Sequence, residues 1–122
     1  MLLIRGARVI DPLTNSDVIR DIFIRDGVIA PADGVPAGLC GVMVVEAGGL
    51  AAAPGLVDMH VHLRDPGFMY KEDILTGAAA AAAGGCTAAA CMPNTLPVAD
   101  SPETIEYIVQ KARSAAVAVL PY

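Results

Sequence analysis

From Leu56 to Leu63 the chain is a run of apolar and β-branched residues, broken only at every second position by Asp58, His60 and His62. A period of two is that of an extended strand, whose alternate side chains share a face. The apolar remainder predicts a strand buried on both sides, as in a parallel sheet. The next segments fit that setting. Arg64 to Tyr70 holds Pro66 and Gly67 and reads as a loop. Glu72 to Ala83 is rich in alanine, the best helix former, with Lys71, Glu72 and Asp73 at its opening and Gly84-Gly85 at its end. Cys86 to Met92 reads as a second strand, closed by Pro93-Asn94-Thr95. Asp100 or Ser101 caps a second helix, with Pro102 in its first turn and Glu103 suited to the helix dipole. Ile105, Ile108, Val109, Ala112 and Ala116 fall on one face of it. Val117 to Leu120 begins a third strand. Strand, helix, strand, helix, strand is the pattern of a parallel α/β protein.

The first part of the chain reads differently. Leu2-Leu3-Ile4 and Val9-Ile10 form two short strands, or one strand interrupted at Gly6. Val18 to Arg25 alternates, and Asp26-Gly27 then supplies a type I′ hairpin turn into a return strand at Val28-Ile29. Pro31 to Gly41 is a loop and Val42 to Glu46 another strand. The chain therefore divides into a β segment, residues 1–53, and an α/β segment, residues 54–122.

Composition narrows the function classes. The sequence has 122 residues and a net charge of -5, with no cluster of Lys or Arg, so nucleic-acid binding is not expected. The apolar run Gly77 to Met92 is too short and too rich in Gly and Ala for a membrane span. No basic segment precedes an apolar stretch, so no signal peptide is expected. Three cysteines without C-x-x-C spacing suit a reduced, cytoplasmic protein and small buried thiols. Hydrophobic residues make up 55% of the chain, but many are alanines, which bury little area each, and Trp is absent.

His60 and His62 are the only two histidines. On a strand they point to one face, and two adjacent imidazoles suit a zinc ion. The same spacing also suits two polar residues on a half-exposed strand. Arg64 and Asp65 follow at what would be the C-terminal end of a parallel strand, where α/β barrels place their sites. Asp58 shares the histidine face, placed either to orient an imidazole or to bond nearby backbone. Asp65 reads as a loop cap.

Pro54-Gly55-Leu56-Val57-Asp58-Met59-His60-Val61-His62-Leu63-Arg64 resembles the cyclic amidohydrolase signature P-G-x-x-D-x-H-x-H. Arg64-Asp65-Pro66-Gly67, Lys71-Glu72-Asp73 and Cys91-Met92-Pro93-Asn94-Thr95 are similar to dihydroorotases of the bacterial long-chain type. The resemblance runs through essentially the whole chain, the N-terminal β segment matching the small β domain those enzymes carry. It implies the opening of a (β/α)8 barrel and the reversible cyclisation of N-carbamoyl-aspartate to dihydroorotate in pyrimidine biosynthesis. It implies zinc, one or two ions in the complete site, with His60 and His62 as ligands. It also implies a substrate contact for His62, and Arg64 and Asn94 as partners of the substrate carboxylate. A guanidinium suits a carboxylate through two parallel hydrogen bonds. An Asn after Pro is also common in turns.

Further consequences follow from the resemblance. A barrel of this kind takes about 250 residues, so only its first strands fit here. The remaining ligands and the catalytic acid or base of such enzymes lie downstream, and two histidines fall short of the three protein ligands usual for catalytic zinc. No catalytic residue is therefore assigned within the chain, and the chain alone is expected to be inactive. Ala88-Ala89-Ala90 departs from the bulky β-branched filling of such barrels. A hydantoinase or allantoinase shares H-x-H but lacks the arginine two residues on. A non-catalytic scaffold partner of aspartate transcarbamoylase is a third reading, against which the two histidines speak. Aspartate transcarbamoylase and further copies of the chain stand as candidate partners.

Overall fold

In the computed structural model, which describes residues 1–122, β1 (Leu2–Asp11) is the axis of a mixed sheet. β2 (Ser16–Arg25) pairs with it antiparallel, and β3 (Val28–Ala30) extends the sheet beyond β2. On its other edge β1 takes two parallel partners in succession, β4 (Met43–Glu46) and β5 (Ala51–Ala52). Gly6 does not end β1. The register shifts between Ile4 and Ala7, Gly6 adopts φ +65°, and its N–H donates to Asp21 Oδ1 at 2.9 Å. The strand is one element with a bulge. Asp26 and Gly27 both have positive φ, 54° and 78°, as the type I′ turn requires. β5 consists of two alanines, poor strand formers, and is held by its pairing with Arg8 and Val9. Leu3 and Phe23 are buried as direct cross-strand partners, and Ala7, Val9 and Ala47 form a small cluster.

The chain divides into this unit, Met1–Pro54, and a second, Gly55–Tyr122. The second is a three-stranded sheet in the order β6 (Leu56–Val61), β7 (Cys86–Cys91), β8 (Ala118–Pro121), all parallel. Helices α1 (Ile74–Ala83) and α2 (Pro102–Ala112) make the crossovers. Leu63, Ile74, Ala78, Ala89, Cys91, Ile108, Val117 and Val119 are among its core residues. Ala89 of β7 has a packing role. Ala89 and Ala78 are almost fully buried in one cluster, and a side chain on Gly77 would lie 2.5 Å from Leu63 Cδ2. Small residues on both surfaces let helix and sheet approach closely, where a barrel interior would be filled by bulky ones.

Three expectations are corrected. β6 is not buried on both sides: Leu56, Val57 and Met59 are exposed and only Val61 joins the core rim. The reason is that α1 packs against β7 and β8, and β6 has a strand partner on one edge alone. α1 starts at Ile74, later than Glu72, because Asp73 is its N-cap. The Asp73 carboxylate accepts from the N–H groups of Leu75 and Thr76, and Thr76 Oγ1 accepts from the Asp73 N–H, a reciprocal capping box. On α2, Ser101 is the cap, and the helix stops at Ala112, so Ala116 lies beyond it and Val109 is exposed. No helix is long and apolar enough to cross a membrane.

Candidate metal and substrate site

Two loops at the carboxyl ends of β6 and β7 carry the candidate residues, and they are fastened to each other. The Met92 N–H donates to Val61 O at 2.9 Å, carrying the β6–β7 pairing past the end of β7, and the Leu96 N–H donates to Pro66 O at 3.0 Å. Gly67, at φ +99°, lies against Leu96 so closely that a Cβ would stand 2.4 Å from Leu96 O. No other residue fits both that φ and that approach.

His60 and His62 sit at this end, with ring centroids 5.1 Å apart and ring planes inclined by 72°. His62 Nδ1 lies 2.9 Å from Asn94 Oδ1, so the structure brings together two residues separated by 32 positions. Asn94 is exposed, on a loop held by Thr95, whose N–H donates to Pro93 O at 2.8 Å and whose hydroxyl donates to Pro97 O at 2.7 Å. The Asp58 carboxylate accepts from the backbone N–H of His60 at 3.0 Å. Of the two roles open to Asp58, it therefore fills the backbone one. Arg64 is half-buried, takes φ 61°, and joins none of the chain's ion pairs. Its carbonyl accepts from the Phe68 N–H at 2.8 Å, which closes the turn after the strand.

The next residue, Asp65, joins a polar cluster that no local sequence pattern assembles. Asp65 has a fully buried side chain. The Tyr107 hydroxyl donates to its Oδ1 at 2.9 Å, Lys111 Nζ lies 2.5 Å from its Oδ2, and the Ile74 N–H donates to Oδ2 at 3.4 Å. Asp65 is thus a loop cap, as expected, and also the point where the β6–α1 loop is tied to α2. The hydrogen bond from Lys111 to Asp65 holds its ammonium above the ordinary range, and burial followed by the Asp65 contact raises Tyr107. Tyr107 and Lys111 stand four apart on one helix face, a visible signal, but nothing local points to Asp65 as their partner.

The donor set fits a metal in kind and falls short in number. Both rings offer nitrogen, the donor that zinc favours. No group of three or more His, Cys, Asp and Glu side chains could hold an ion within this chain. The buried Cys91 thiol is pushed up by burial, away from thiolate chemistry. Two grooves of about 380 Å³ each lie on the first unit, against Val9, Arg20, Ile22 and Ile29, and neither contains His60 or His62.

The family model described as dihydro-orotase-like matches residues 49–122. A dihydroorotase of Geobacter sp. strain M21 is 54% identical over 116 residues, covering 95% of this chain and 27% of that protein. One from Geobacter sulfurreducens is 55% identical over 113 residues, covering 93% of this chain and 27% of that protein. A solved L-hydantoinase (dihydropyrimidinase) from Arthrobacter aurescens superposes with a TM-score of 0.79 at 25% identity, over 99% of this chain and 27% of that one. These likenesses set the chain among the cyclic amidohydrolases. Within them it belongs to the dihydro-orotase-like family, whose N-terminal portion it matches over about a quarter of the relatives' length.

Proposed function

We propose that this chain contributes the small β domain and the first βαβαβ portion of a (β/α)8-barrel dihydroorotase, and with them one side of its active site. The observation that carries the reading is the placement of His60, His62, Arg64 and Asn94 around the carboxyl ends of two adjacent parallel strands. In this reading His60 and His62 supply two zinc ligands, and the complete protein supplies the others. When bound, zinc would polarise the scissile carbonyl and acidify a water molecule. The chain's own residues bind and orient. The Arg64 guanidinium, free of any internal carboxylate, receives the carboxylate of dihydroorotate or N-carbamoyl-aspartate through paired N–H donors. The Asn94 amide N–H2 adds a donor to the same group. The reaction is the reversible cyclisation of N-carbamoyl-aspartate, a step of pyrimidine biosynthesis.

The likeness to a hydantoinase supports a second reading, a cyclic amidase acting on uncharged rings. The test is turnover by the full-length protein of dihydroorotate against dihydrouracil and hydantoin, with zinc content measured in parallel. Turnover of dihydroorotate alone, lost in His60→Ala and His62→Ala together with zinc, supports the first reading. Preference for the uncharged rings supports the second. Full-length protein without stoichiometric zinc or turnover would point instead to a scaffold role, aspartate transcarbamoylase being the partner to test.

A further inference from the structure

We infer that Asn94 is a positioning residue for the metal site: its side-chain carbonyl holds His62 in the Nδ1–H tautomer, so that Nε2 is the nitrogen presented to a metal ion. The inference rests on the reading of His62 as a ligand and goes beyond the substrate-binding role given to Asn94 above.

The chemistry follows from the atoms in contact. Asn94 Oδ1 lies 2.9 Å from His62 Nδ1. An amide oxygen only accepts, so the imidazole hydrogen resides on Nδ1 and the lone pair on Nε2. An imidazole whose second nitrogen donates to an oxygen acceptor is fixed both in tautomer and in ring orientation, and its ligating nitrogen is made more basic. The two histidines are not equivalent in this respect, since Asn94 reaches His62 and no side chain bonds either ring nitrogen of His60.

The holder is itself held. Asn94 sits between Pro93, whose carbonyl accepts from the N–H groups of Thr95 and Ala99 at 2.8 and 3.1 Å, and the buried Thr95. The preceding Met92 N–H is bonded to Val61 O, on the residue between the two histidines. Asn94 thus keeps a fixed distance from the strand end that carries His62. Because the contact uses only the amide oxygen, the N–H2 group stays available to a substrate carboxylate. One residue can then join ligand orientation to substrate binding, and the two functions separate by substitution. Asn94→Asp keeps an oxygen acceptor for His62, removes the donor, and sets a negative charge against the substrate. Asn94→Ala removes both.

The experiment uses the full-length protein with selectively 15N-labelled histidine. Long-range 1H–15N spectra of the metal-free protein report the tautomer, His62→Ala assigns the resonance, and zinc titration against a chromophoric chelator reports affinity. The expected result is an Nδ1–H signature in the wild type that is kept in Asn94→Asp and lost in Asn94→Ala. Zinc affinity should fall about 10–100-fold in Asn94→Ala and stay within a few-fold in Asn94→Asp. The KM for dihydroorotate should rise in both variants. An unchanged tautomer and unchanged zinc affinity in Asn94→Ala would overturn the inference while leaving the metal site standing. Undiminished zinc binding by His62→Ala would overturn the metal reading itself. Since Asn94 is exposed, both variants should retain the wild-type circular dichroism spectrum.

Discussion

The buried carboxylate of Asp65 ties the β6–α1 loop to α2. A charge with no exposed surface needs donors and a countercharge, and the Tyr107 hydroxyl, the Lys111 ammonium and the Ile74 N–H supply them. Lys111→Met leaves that charge without its cation. We expect a loss of stability on the order of 3 kcal/mol, at the lower end for a buried pair because the lysine keeps some contact with water. Tyr107→Phe removes a single donor and should cost about 1–2 kcal/mol, both read by denaturant titration. The pair also sets a pH dependence. The Lys111 ammonium is raised in the folded state, so its stabilising contribution is full below the ordinary value of 10.5 and fades as pH rises through the higher folded value. Thermal midpoints should therefore fall above pH 10.5 in the wild type, and that component should be absent in Lys111→Met. At Arg64 the prediction concerns binding. Arg64→Lys keeps the charge and loses the two-pronged donor, so under the proposed function the full-length protein should show a KM for dihydroorotate raised about tenfold with kcat little changed.

Helix and loop ends decide how the site elements are held. α1 is rich in alanine and needs little help to be helical, so its cap serves mainly to fix where it begins. The N–H of Thr76, followed by that of Leu75, holds the Asp73 carboxyl below the ordinary carboxylate range. A depressed carboxylate contributes stability above its unfolded value and loses it as pH falls through the folded one. Asp73→Ala should accordingly lower the thermal midpoint at neutral pH and flatten its decline below pH 3.8. Gly67 is the corresponding fixed point between the two loops. Gly67→Ala combines a positive φ with a contact against Leu96 O, and should destabilise by more than about 1 kcal/mol while separating the strand-end loops. Weakened zinc binding in that variant, with His60 and His62 intact, would show that loop packing sets the site.

At the scale of the chain, the second unit has two sheet edges, β6 and β8, with one strand partner each. The exposed Leu56, Val57 and Met59 on β6, with Leu120 on β8, make these edges apolar as well as unpaired. Edges of that kind template association. The 122-residue chain prepared alone should show concentration-dependent association by light scattering, bind zinc below one equivalent, and turn over no dihydroorotate. A full-length protein that supplies the missing neighbours should do the opposite on all three measurements. Activity in the short chain would overturn the half-site reading.

What the sequence determined by itself is what neighbouring residues encode. The alternation of strands and helices from Leu56 onward, the Asp26-Gly27 hairpin and the closeness of His60 to His62, which lies just past the end of β6, all depend on spacings of a few residues. Periodicity and turn chemistry report such spacings directly. The helix starts were legible to within a residue or two, because Asp73 and Ser101 are local caps. Gly6 was ambiguous, since a glycine can break a strand or bulge it, and only the pairing with β2 chose the bulge. The tertiary structure alone decided the contacts that give the candidate site its shape. His62 meets Asn94 across 32 positions, and Asp65 meets Tyr107 across 42. It also decided that β6 stays exposed, since α1 packs over β7 and β8, against Ala89 and Val119. Each of these outcomes depends on which surfaces come together, a choice made by close packing over the whole unit and carried by no single stretch of chain.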